Sequence, residues 1–133
     1  MYPVPTEPTL PTQPTQPTQP TNESWAAVLA AYDLMVGPHW AHIPRFRHSV
    51  AALACSHEAS GLSAVTSHET LIVSPYTRHP DWIEGRHVLL RPHRDGRVLI
   101  ESYPNGWRAA PAESTLVAAD EVLATARKVL ARL

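Results

Sequence analysis

From Pro8 to Thr21 the chain reads PTLPTQPTQPTQPT, with Pro8, Pro11, Pro14, Pro17 and Pro20 at every third position. Proline fixes φ and has no amide proton, so this stretch supports neither a helix nor a sheet ladder. Three residues per turn is the period of polyproline II, and the intervening Thr and Gln offer nothing to bury. Residues 1–21 are therefore expected to form a disordered, extended tail, which leaves residues 22–133 to make a single domain. A PxxP repeat can be a docking strip. This one lacks the flanking arginine that orients many such ligands, and a soluble spacer is the plainer reading.

A domain of about 110 residues has room for one two-layer core. The formal net charge is -1, and it is zero without Glu7 of the tail, so no global field steers the chain to nucleic acid, an anionic membrane or an acidic substrate. Cys55 is the only cysteine, which rules out an internal disulfide and fits a reducing compartment. No apolar stretch approaches the roughly twenty residues needed to cross a bilayer, and no basic start followed by an apolar run marks a signal peptide. A cytoplasmic location without a membrane partner is the expectation. Lys128 is the only lysine, arginine supplies every other base, and alanine is frequent. That usage reads as the codon bias of a GC-rich genome, and the expected source is such a host, its phage or a mobile element.

Within the domain, Asn22 suits an N-cap and Glu23 a first helical turn. Trp25, Val28, Leu29, Tyr32, Met35 and Val36 recur at helical spacing, and Gly37-Pro38 ends the run, so a helix is predicted over 23–36. His39–Arg47 reads as irregular, broken by Pro44. Residues 48–60 read as a helix with Val50, Leu53, Ala54 and His57 on one face, with a strand at 49–55 as the alternative. Strands are predicted at 62–66 and 70–74, then a hairpin of 87–92 with 97–103. The last helix is placed from Ala112 or Glu113 to the C-terminus, just after Pro111. Its stripe would be Leu116, Ala119, Leu123, Ala126, Leu130 and Leu133, widened by Val122 and Val129. That stripe packs on a sheet or forms a seam for a second copy.

The register of the hairpin follows from burial. A two-residue Asp95-Gly96 turn would put Leu90 opposite Glu101 and mix both faces. A three-residue loop, Arg94-Asp95-Gly96, pairs His93 with Arg97, Leu90 with Ile100 and Pro92 with Val98, and makes one face almost wholly apolar. A one-residue slip moves the apolar set to the other face, so the three-residue loop is predicted, with Gly96 left-handed. Val88, Leu90, Val98 and Ile100 then enter the core. His87, Arg91, His93, Arg97, Glu101 and Tyr103 share the opposite face.

His93-Arg94-Asp95 has the letters of a kinase catalytic loop, but Ile100 stands where the metal-binding asparagine belongs. The arginines Arg86, Arg91, Arg94, Arg97 and Arg108, with Tyr103 and Trp107 to stack on bases, make nucleic-acid binding the leading alternative to a solvated face. His39 and His42, then Cys55 and His57 after a twelve-residue gap, are the weak candidates for zinc, although ligands two apart on a helix point to different sides. The two Ser-His-Glu triplets at Ser56 and Ser67 do not extend to H-E-x-x-H. Ser63 in GLSAV lacks the second glycine of a nucleophile elbow. Trp40, Phe46, Tyr76 and Trp82 fall in predicted loops, where aromatic residues often mark binding surfaces.

The expected architecture is α+β: a small antiparallel sheet of three or four strands, covered by an N-terminal and a C-terminal helix. The expected function is a non-enzymatic interaction or adaptor module without a cofactor. Its partner would be another protein, or a second copy through the C-terminal helix. A nucleic-acid-associated protein and a metal-dependent enzyme are the alternatives.

Overall fold

The computed structural model describes residues 22–133; the proline repeat lies outside the described residues. Three helices pack on one face of a five-stranded antiparallel sheet. No helix among the described residues is long and apolar enough to cross a membrane.

Helix α1 spans Glu23–Asp33. Extended Asn22 accepts from the Ser24 amide, as an N-cap should. Its side-chain Nδ2 donates to the Leu62 carbonyl at 2.7 Å, and the Trp25 indole donates to the same oxygen at 3.0 Å. The helix ends three residues short of Val36. The Leu34 and Met35 amides bond back to Ala31 and Tyr32, a turn that folds Met35 onto the core and leaves Leu34 and Val36 in solvent.

Helix α2 spans Ile43–Ala54, so the strand alternative falls. Pro44 does not break the chain there. It sits in the first turn, where a missing amide proton costs nothing. Phe46, expected in a loop, is buried on this helix with its ring edge-on to Tyr32, 5.5 Å between centroids. Val50, Leu53 and Ala54 are buried as expected, but the helix stops at Cys55, and His57 is exposed in a separate short turn, His57–Ala59, capped by Ser56.

The sheet is a meander in the order β1 (Ser63–Ser67), β2 (Thr70–Ser74), β3 (His87–Pro92), β4 (Val98–Tyr103), β5 (Glu113–Val117). A one-turn helix, α3 (Asp81–Glu84), lies between β2 and β3. The hairpin has the three-residue loop: Leu90 faces Ile100, Pro92 faces Val98, and Gly96 has φ 93°. Val88, Leu90, Val98 and Ile100 are all at most 2 % exposed.

Residues 113–117, where the sequence predicts the start of the last helix, instead form the fifth strand. The β-branched Thr115 and Val117 favour a strand, and β4 offers these residues an unpaired edge. The chain turns only after Val117, where the Glu121 carboxylate accepts from the Ala118 amide at 3.3 Å. Helix α4 is Val122–Ala131. Val122, Ala126, Val129 and Leu130 are buried, whereas Leu116 is 39 % exposed on an edge strand rather than part of that stripe.

These placements give opposite expectations for two leucines. Leu90→Ala should cost about 2–5 kcal/mol in urea denaturation, as fully buried leucines do. Leu116→Ala should cost less than about 1 kcal/mol. A large loss at Leu116 would place that residue back in a packed helix.

Candidate interaction surface

Paired residues of antiparallel strands share a face. Helices α1, α2 and α4 cover the face made by Leu71, Val73, Val88, Leu90, Val98 and Ile100. The far face has three rows. At one end lie Ser63, Ser74, His87 and Tyr103; in the middle Val65, Ile72, Leu89, Glu101 and Ser114; at the other end Ser67, Thr70, Arg91, Leu99 and Leu116.

Only the first end is well covered. Helix α3 rests on β2 there, and the Trp107 amide donates to the Ile83 carbonyl at 3.1 Å, tying the Asn105-Gly106 turn to α3. Gly106 has φ 84°, and a Cβ there would run into the Glu84 carbonyl. Beneath this cover His87 is only 1 % exposed. It shares the face with Arg91 and Tyr103 as expected but does not meet solvent. Its ring stacks on Tyr103 at 4.9 Å and 10°, and its Nδ1 lies 3.0 Å from the Gly85 carbonyl, to which it donates. Burial holds the imidazolium back and lowers the pKa; the bond to Gly85 opposes this.

Towards the other end the face opens. Ile72 is buried, Leu89 and Leu99 are half-buried, and Leu116 and Arg91 are exposed. Glu101 accepts from the Tyr103 hydroxyl and from Ser114 Oγ, each at 2.8 Å, so its carboxylate is occupied within the sheet. Burial and the adjoining Glu101 raise the pKa of the Tyr103 phenol. The outer edge of β5 pairs with no strand among the described residues.

Sequence reasoning named Arg91 and Tyr103 here but not Leu89, Leu99 or Leu116. The signal was present in Val88-Leu89-Leu90 and Val98-Leu99-Ile100. Three apolar residues in succession on a strand supply both faces, not one.

The other expected site residues scatter. Arg94 Nη2 donates to His39 Nδ1 at 2.7 Å, and Arg97 is paired with Asp95 at 2.7 Å, so Arg91, Arg94 and Arg97 have different neighbours. Asp95 also accepts from the Arg97 amide, and these contacts hold its carboxyl below the usual range. Trp107 is 49 % exposed beside the Arg108 guanidinium, 4.6 Å from its ring centroid. Trp40 packs half-buried against the core, edge-on to His39. Tyr76 and Trp82 line one cavity together with Ser63 and Val65 of β1.

The zinc candidates are not brought together. The gap between His42 and Cys55 is α2 itself, a helix about 18 Å long. His39 and His42 therefore lie at one end, Cys55 and His57 at the other. Among the described residues no group of three or more His, Cys, Asp or Glu is arranged to hold a metal. His42 Nε2 is buried with no hydrogen-bond partner among them, and burial lowers the pKa of its ring.

No protein-family model matches this chain, and comparison with curated proteins and with solved structures found no match.

The His87 environment sets a pH dependence. Its folded-state pKa lies below the usual 6.5, so the unfolded chain takes up this proton first as pH falls. Above 6.5 the group is neutral in both states and contributes no slope. Below 6.5 stability should decline until the folded pKa is reached. An NMR titration of the His87 ring should give a midpoint under 6.5, and His87→Phe should flatten part of the fall in urea midpoint between about pH 7 and about pH 5. A ring midpoint at or above 6.5 would contradict the buried neutral assignment.

Proposed function

We propose that the protein is a non-enzymatic interaction module that docks a protein partner on the open half of its far sheet face. The carrying observation is the asymmetry of the sheet: three helices cover one face, while Leu89, Leu99 and Leu116 remain accessible on the other. Apolar side chains grouped around one exposed charge, Arg91, resemble an interface with an apolar centre and an orienting cation. The edge of β5, unpaired among the described residues, adds backbone donors and acceptors that an incoming strand can satisfy. The C-terminal helix is a weaker choice of surface, because Val122, Ala126, Val129 and Leu130 are turned into the protein's own core.

The test is a photo-crosslinking amino acid at Leu116, compared with the same group at exposed Lys128 on α4. In the native host, Leu116 should give a discrete adduct of higher mass that Leu99→Glu abolishes, and Lys128 should give none. Leu99→Glu should leave the circular dichroism spectrum unchanged. Equal labelling at both positions, or an adduct indifferent to Leu99→Glu, would defeat the proposal.

A further inference from the structure

We propose that the groove between Tyr76 and Trp82 is a binding site for a polyproline II segment, and that its occupant is this chain's own repeat, Pro8–Thr21. The groove is a cavity of about 190 Å³ beside β1, lined by Ser24, Ser63, Val65, Tyr76 and Trp82. It lies at the corner of the far face diagonally opposite Leu116. It is therefore independent of the partner surface proposed above, and either can fail without the other.

The aromatic walls are held in place before anything binds. The Arg86 guanidinium sits 5.8 Å from the Tyr76 ring centroid, and the His79 ring meets Trp82 edge-on at 5.3 Å. Gly85 makes the close approach of Tyr76 possible, since a Cβ there would run into the Tyr76 ring. Two aromatic walls that need no rearrangement suit a ligand that is itself stiff, because neither side loses much freedom on binding.

The polar chemistry is complementary as well. Prolines carry no N–H, so a proline-rich backbone presents carbonyl acceptors in excess of donors. The Trp82 indole N–H and the Tyr76 hydroxyl are donors with no hydrogen-bond partner among the described residues. Each can donate to a carbonyl while its ring packs on a pyrrolidine. Val65 supplies an apolar floor, and Ser24 and Ser63 supply a polar rim.

Placement on the chain selects the occupant. Asn22 is fastened to Leu62, and Ser24 already lines the groove. Twenty-one residues precede this point, and the nearest proline of the repeat is Pro20. From Pro8 to Pro20 a polyproline II segment is about 40 Å long at about 3.1 Å per residue, enough to cross the groove in either direction. The prolines recur every three residues, so several successive turns can occupy the same walls. A tethered segment acts at an effective concentration of about millimolar, so a site with a dissociation constant below about 1 mM is mostly filled.

The experiment uses the full chain, labelled with ¹⁵N, and a variant in which Pro11, Pro14, Pro17 and Pro20 are alanine. Trp82→Phe assigns the Trp82 indole peak. In the unsubstituted chain that indole proton should show nuclear Overhauser contacts to proline Hδ protons, and the four-alanine variant should lose them and shift the peak. The Trp25, Trp40 and Trp107 indoles should stay where they are, which controls for the fold. An unmoved Trp82 peak without proline contacts overturns the proposal. A contact that disappears on dilution also overturns it, since the occupant is then the repeat of a second copy.

Discussion

The turn Arg94-Asp95-Gly96 fixes the register on which everything else rests. The His93 amide donates to the Arg97 carbonyl at 2.8 Å, and the Gly96 amide donates to His93 at 3.0 Å. Gly96 sits at φ 93°, and a Cβ there would meet nothing within 4 Å. The glycine is therefore required by backbone conformation alone and not by crowding. Asp95 reinforces the turn by accepting from the Arg97 amide and side chain. One residue more or less here would exchange the faces of the strand.

With the register fixed, the sheet has one face covered by helices from β1 to β4 and one that is only half covered. Helices α1 and α4 lie over opposite ends of the strand order, and α2 packs against both. The perimeter is closed by ion pairs, Arg127 with Glu58 and Arg132 with Glu113, which link α4 to the turn after α2 and to β5. Exposed pairs of this kind contribute little to stability. The far face is built differently. Its covered end is a set of satisfied polar groups and stacked rings around Ser74, His87 and Tyr103. Its open end is mostly aliphatic. Helix α3 and the Asn105-Gly106 turn divide the two.

Local chemistry made much of the fold legible. Asn22, the spacing of Trp25, Val28 and Tyr32, strand β2 and the whole hairpin register followed from capping, periodicity and burial. The failures have a common cause: a local pattern continued past the point where tertiary structure took over. The three- and four-residue steps of α4 extend backwards to Leu116 by coincidence, while residues 113–117 are held by the open edge of β4. Pro44 reads equally as a helix breaker or a helix starter, and the hydrophobic face that follows decides for the latter. For His39, His42, Cys55 and His57, only weak candidates for zinc, linear spacing does not show that helix α2 lies between the two pairs. The candidate surface was the least legible. Arginines and aromatics draw attention as single letters, whereas Leu89 and Leu99 matter only once their face is known.

The most direct test of this account is the register itself. His93 and Arg97 form a hydrogen-bonded pair, so Leu90 and Ile100 fall in a non-hydrogen-bonded pair, where the α-carbons approach to about 4.5 Å. A strong nuclear Overhauser contact between the Hα protons of Leu90 and Ile100 is the predicted result. A strong contact between the Hα protons of Arg91 and Ile100 instead would mean a two-residue turn, with the covered and open faces of the sheet assigned the wrong way.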